Sequence, residues 1–152
     1  NQESNSLTGN EAGNVLRGGA GRDVIDGAGG DDSLFGSLGF DTLIGGAGGD
    51  GFHFDHVRFG VGFNDVISDL TPADDTVFLD RTAYTELDPG TLDPDAFVIG
   101  TGAEDSEDRI IYDPTNGNLI YDPDGTGPHN PALFAIAATG LDLSHLDFAG
   151  YN

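Results

Sequence analysis

The chain has 152 residues, room for one domain of ordinary size, with 37% hydrophobic residues and 25 glycines. Its formal net charge is −22, with no Lys and only five Arg, so no basic patch exists to meet phosphate and nucleic acid is excluded as a partner. It has no Cys, hence no disulfide framework and no thiol chemistry, and no apolar run long enough to span a membrane.

At the start, Asn1-Gln2-Glu3-Ser4-Asn5 reads as a cut through a linker and carries no secretory leader, so a fragment of a longer protein is expected. Leu7-Thr8 begin a first rung. From Gly18 to His53 one nine-residue pattern is laid down four times without a gap. Gly18-Gly19-Ala20-Gly21-Arg22-Asp23-Val24-Ile25-Asp26 is the cleanest copy, and the others start at Gly27, Gly36 and Gly45. A weaker copy, Gly9 to Arg17, precedes them with Asn14 in the acidic place. The pattern is GGxGxDxUx, with U a large apolar residue.

Positions 7 to 9 of each copy are too short for any strand but a rung of a stacked coil. Position 8 is Leu16, Ile25, Leu34, Leu43 and Phe52 in turn. A three-residue strand puts its middle residue on one face, so these five are predicted to point inward together. The glycines between rungs let the backbone turn closely enough for carbonyl oxygens to converge. The Asp at position 6 adds a carboxylate. Such an oxygen set suits calcium, whose shell accepts about six to eight donors. Magnesium demands a tighter octahedron, and zinc prefers nitrogen and sulfur.

These contiguous copies resemble the RTX calcium-binding nonapeptide-repeat family. The resemblance implies an all-β fold: a right-handed parallel β-roll over residues 1–53, capped by a β-rich segment, 54–152, continuous with it. It implies two copies per turn of the roll, so that Asn14, Asp32 and Asp50 line one edge and Asp23 and Asp41 the other. Calcium would sit between stacked turns in at least three sites, the first weakened by the neutral Asn14. The implied main-chain donors are Gly18, Ala20 and Arg22; Gly27, Gly29 and Asp31; Gly36, Leu38 and Phe40; and Gly45, Ala47 and Gly49.

Beyond the repeats, Phe52, His53 and Phe54 mark a change of character where the roll meets its cap, since the last rung of a stack must be covered. From Phe63 two strands are predicted, Asn64–Leu70 and Asp75–Asp80, joined by the turn Thr71-Pro72-Ala73-Asp74. This segment also resembles the one that follows the roll in RTX proteins, where acidic residues bind a further calcium; Asp65, Asp69 and Asp75 are the candidates, with exposed strand and turn carboxylates as the plain alternative. Asp93-Pro94 opens a short helix through Asp95-Ala96-Phe97. Arg109–Asp113 and Asn118–Asp122 form a hairpin about Asn116-Gly117. Ala132–Ala137 is the third strand of an antiparallel meander, and the tail, Leu141 to Phe148, holds one helical turn and then ends.

Other chemistry is weaker. Asp122-Pro123-Asp124-Gly125-Thr126-Gly127 opens like an EF-hand loop but has Leu133 where the bidentate Glu belongs, so a tight acidic turn is expected, with a partial calcium site as the alternative. His53 and His56 would face opposite ways on a strand, which argues against a zinc site, and His129 and His145 stand isolated. Four Asp-Pro bonds are turn starters; self-cleavage at one of them is the least favoured reading. No nucleophile–base pair stands out, and the glycine loops lack the Lys of a phosphate loop, so no catalytic residue is assigned. The expected role is a monomeric module that folds on binding calcium outside a bacterial cell, after type I export, as the tail of a larger secreted protein. Its partners would be calcium and the N-terminal domain of the same chain. The alternative is a module that binds polysaccharide or a cell surface.

Overall fold

A computed structural model describes residues 2–57 and 64–152. Asn1 and Phe63, named in the expectations above, lie outside the described residues. The repeat region folds as rungs: β1 (Ser6–Asn10), β2 (Val15–Gly21), β3 (Val24–Ala28), β4 (Ser33–Gly39), β5 (Thr42–Ile44) and β6 (Gly51–Phe54). Successive rungs alternate between two sheets. β1, β3 and β5 stack in parallel in one, and β2, β4 and β6 in the other. Two nine-residue units therefore complete one turn, as the resemblance implied.

The position-8 side chains form two columns facing each other between the sheets. Leu7 pairs with Ile25 and Ile25 with Leu43 in the first sheet; Leu16 pairs with Leu34 and Leu34 with Phe52 in the second. Ile25, Leu34, Leu43 and Phe52 are fully buried. Each contributes about 1.5–3 kcal/mol of apolar burial. β2 and β4 run longer than three residues. Their pairing continues through Gly19–Ser37, Ala20–Leu38 and Gly21–Gly39, so the glycine turns themselves stack in register.

The coil continues beyond the repeats. β7 (Asp65–Ile67) lies on β5 and β8 (Thr76–Asp80) on β6, each in parallel. β9 (Gly90–Thr91) follows, then a single 3₁₀ turn at Pro94–Ala96, capped by Asp93, whose side chain accepts from Asp95 N–H. Phe97 begins β10 (Phe97–Ile99) instead of ending a helix. β11 (Ile110–Asp113) and β12 (Asn118–Tyr121) form the expected hairpin, with Gly117 at φ 81° in its loop. β13 (Ala132–Ile136) pairs antiparallel with β12 and parallel with β7, which splices the meander onto the first sheet.

The C-terminal segment holds a strand that the alternation pattern does not announce. After a 3₁₀ turn at His145–Asp147 with a Ser144 capping box, β14 (Phe148–Tyr151) lies parallel on β8 as a further rung of the second sheet. Tyr84, Tyr112, Tyr121, Phe134 and Phe148 fill the core of this half. Each tyrosine hydroxyl finds a partner: Tyr84 donates to His56 O (3.0 Å), Tyr112 to Ala138 O (2.7 Å), and Tyr121 accepts from Glu86 N–H (3.2 Å). Burial raises the pKa of Tyr84 and Tyr121.

Candidate metal centre

The turns that join rungs carry the position-6 acids, and the coil stacks them 18 residues apart. On one edge Asn14 N–H donates to Asp32 Oδ1 (2.7 Å), Asp32 N–H to Asp50 Oδ1 (2.9 Å), and Asp50 N–H to Asp75 Oδ1 (2.9 Å). On the other, Asn5 N–H donates to Asp23 Oδ1 (2.7 Å), Asp23 N–H to Asp41 Oδ1 (2.8 Å), and Asp41 N–H to Asp65 Oδ1 (2.9 Å). The two edges expected from the period are thus present, each running one acid further into the C-terminal half. Asn5 was missed as a ladder residue because no glycine-rich turn precedes it; its place before Ser6-Leu7-Thr8 is the signal that could have found it.

In Asp23, Asp32 and Asp50 one carboxylate oxygen is spent on the ladder and the second is not. Oδ2 of Asp23, Asp32 and Asp50 is buried and has no hydrogen-bond partner among the described residues. Leaving such an oxygen unpaired costs about 1–3 kcal/mol, more when it is charged. Each of these atoms rests against the first glycine of its own copy: Asp23 against Gly18, Asp32 against Gly27 and Asp50 against Gly45, where a Cβ would overlap Oδ2. Gly36 stands in the same relation to Asp41. The first glycine therefore leaves room for the acid side chain to lie against the backbone. The second position bends the chain: Gly19, Ala28, Ser37 and Gly46 all have φ between 69° and 101°.

The predicted main-chain donors are brought into stacked turns, not scattered. Ala20 lies opposite Leu38 on one edge, and Gly29 opposite Ala47 on the other. Ala47 O already accepts from Gly30 N–H (2.8 Å), and Asp31 uses its side chain, accepting from Gly49 N–H (2.9 Å). Arg22 and Phe40 occupy exposed places on the other edge. Among the described residues no group of three or more His, Asp or Glu side chains converges as a cage. The side chains supply one acid per turn, so backbone oxygens must complete a metal shell.

Asp65, Asp69 and Asp75 do not form one cluster. Asp65 ends one ladder and Asp75 the other, where its Oδ2 accepts from Thr71 N–H (2.7 Å). Asp69 accepts from Gly45 and Gly46 N–H (2.8 and 2.9 Å), clamping the last glycine turn. Burial raises the pKa of Asp50, and Asp75, Asp32 and Asp69 push it the same way; Asp75 is likewise raised by burial and by Asp69 and Asp74. These acids are crowded as free carboxylates, and a cation between them relieves both burial and repulsion.

The side chains of the weaker candidates make local contacts. Asp122 Oδ1 accepts from Asp124 N–H (3.2 Å), and Asp124 holds His129, whose Nδ1 lies 2.7 Å from Oδ2, so His129 is paired and not isolated. Asp113 Oδ1 takes the N–H and hydroxyl of Thr115, and its Oδ2 takes Asn116. His53 is stacked between Phe35 and Phe78, while His56 contacts Asp55.

Paired columns of buried acids in stacked glycine turns define a metal-binding parallel β-roll. Residues 8–43 and 26–54 match the family model described as the RTX calcium-binding nonapeptide repeat, in four copies. That stretch is an RTX repeat array, and members of the family bind calcium between their repeats. The chain is also similar to the solution structure of the AlgE6R3 subunit of the Azotobacter vinelandii mannuronan C5-epimerase, with TM-score 0.63 and 23% identity over 97% of this chain and 78% of that one. That likeness shows the fold, an all-β parallel roll. No curated protein matches the chain. Among the described residues no helix is long and apolar enough to cross a membrane.

Proposed function

We propose that the chain is a calcium-loaded, non-catalytic folding module of a larger secreted bacterial protein. The sites lie between stacked turns 1–53, and residues 54–152 act as the cap. The observation that carries this reading is the set of buried, unpartnered Oδ2 atoms of Asp23, Asp32 and Asp50, each seated against a glycine that leaves room for the carboxylate. Calcium supplies the positive charge that these acids lack. Asp23, Asp32, Asp41 and Asp50 would offer Oδ2, and the stacked turns their carbonyls, with no side chain displaced.

Coupling to folding follows from charge. A chain of net charge −22 repels itself when cations are scarce, and its ladders place like charges in columns. Sites of the extracellular class fill only near millimolar calcium, about 10⁻⁴–10⁻³ M. Such a module stays expanded inside the cell, where it can thread an export channel, and condenses outside. Whatever binds only the folded state stabilises it by linkage. Far-UV circular dichroism of the chelator-washed chain during a calcium titration tests this. A cooperative rise of β signal is expected; a spectrum indifferent to calcium would sink the reading.

A second reading, binding of a polysaccharide, is favoured by one feature: Leu38 and Phe40 are each 41% exposed at one turn edge. The similar structure belongs to an enzyme named for mannuronan. Calorimetry with mannuronan checks it, since heat that vanishes in Phe40→Ala supports the reading and no heat refutes it.

A further inference from the structure

Nearly identical repeats pose a problem that their own pattern cannot solve. A turn of this coil can pair with any other turn whose sequence fits. Glycine-rich strands specify register weakly. The acid ladders make the same hydrogen bond at every step, and the inward columns hold Leu, Ile or Phe throughout the repeats. Neither distinguishes a native stack from one displaced by a turn.

The outer face of the second sheet does. Position 9 of β2, β4 and β6 carries Arg17, Phe35 and His53, and the matching place on β8 is Phe78. Their planar groups stack into one column. The Arg17 guanidinium lies 3.5 Å from the Phe35 centroid. Phe35 stacks on His53 at 4.1 Å and 12°, and His53 on Phe78 at 4.7 Å and 10°. Tyr151 of β14 closes the column edge-on to His53 at 5.2 Å. Gly51 makes room: a Cβ there would stand 3.0 Å from the Phe78 ring and 3.1 Å from His53 Nε2. The equivalent column of the first sheet, Thr8, Asp26 and Ile44, has no such stack.

The order of this column is not repetitive. A cation meets a ring, a ring meets a neutral imidazole, and that imidazole meets a second ring. Moving β2 by one turn would set Arg17 against His53, the pair that already disfavours charge on His53. Moving β4 by one turn would take Phe35 off His53 and leave Arg17 without its ring. We infer that the Arg17–Phe35–His53–Phe78 column is the register key of the roll, a device that fixes which repeat stacks on which and ties the repeats to the cap. The inference does not depend on the metal reading.

The test uses the full chain in saturating calcium. Cysteines at Val15 and Ser33, which face each other across β2 and β4, carry pyrene labels in a chain with no other Cys. In-register stacking gives excimer emission. The triple substitution Phe35→Thr, His53→Thr, Phe78→Thr keeps strand formers on the strands but removes the column. The inference expects loss of excimer emission and more than one set of amide resonances for β2 and β4, while β content persists. His53→Phe keeps a flat ring but lets Arg17 meet a ring in either register, so it is expected to keep the fold while weakening the excimer and admitting a second set. Undiminished excimer with one set of resonances in the triple variant would overturn the inference. So would failure of the triple variant to fold, because the column would then supply stability and not register. Calorimetry on the same samples reports calcium uptake separately, so a failure of the metal reading is told apart.

Discussion

At the scale of single residues, the first two positions of each repeat do different work, and substitutions should separate them. A Cβ on Gly27 would overlap both Asp32 Oδ2 and Gly45 O, so Gly27→Ala displaces the carboxylate proposed as a ligand and strains the stack. We expect a loss of about 2 kcal/mol or more of calcium-loaded stability, read by thermal melting. Its neighbour Ala28 holds φ 74°, where a side chain costs about 1–2 kcal/mol. Ala28→Gly relieves that strain at some entropic cost, so it should be neutral or stabilise by up to about 1 kcal/mol. Asp32→Asn keeps an oxygen for Asn14 N–H but removes the charge. Calcium affinity measured by calorimetry should fall about tenfold or more, while the same variant becomes more stable in chelator, because a buried anion has gone.

At the scale of elements, the planar column on the second sheet gives a pH prediction. Burial, helped by Arg17 and opposed by Asp55, holds folded His53 down to about 4 against 6.5 for the free side chain. The unfolded chain therefore takes up this proton first on acidification. Stability from a neutral His53 is complete above about pH 6.5 and is lost as pH falls toward about 4. His53→Phe should flatten that part of the stability–pH curve at fixed calcium; an unchanged slope would show that His53 does not titrate differently in the two states.

The elements also show what sequence could reveal. Repeats with a fixed period disclosed their rungs, inward residues and acids, because each constraint recurs at the same place. Asp65 and Asp75 were legible as acids but not as rungs, since the spacing along each ladder lengthens from 18 to 24 and 25 residues where the glycine turns stop. β14 was hidden because its partner β8 lies about seventy residues earlier and its pairing depends on the cap folding back. The aromatic column had a signal, planar groups at 17, 35 and 53, that becomes meaningful only once position 9 is known to face outward.

For the whole molecule, the two halves meet folding with different resources. The C-terminal half buries Tyr84, Tyr112, Tyr121, Phe134 and Phe148 in a conventional core. The repeat half has a thin double column of apolar residues and rows of like charge, so it depends on cations far more. Calcium withdrawal should therefore melt β1–β6 before the cap. Hydrogen exchange during a chelator titration should show amides of the repeats losing protection at higher free calcium than those of β11–β13. Simultaneous loss in both halves would mean that the sheets unfold as one unit.

The calcium reading stands on the unspent Oδ2 atoms of Asp23, Asp32 and Asp50 being ligands. The most direct measurement is a crystal grown in calcium, with anomalous scattering recorded to locate the ions. The account predicts peaks between stacked turns on both edges, next to Oδ2 of Asp23, Asp32, Asp41 and Asp50. Ordered glycine turns with no anomalous density beside those oxygens would contradict it.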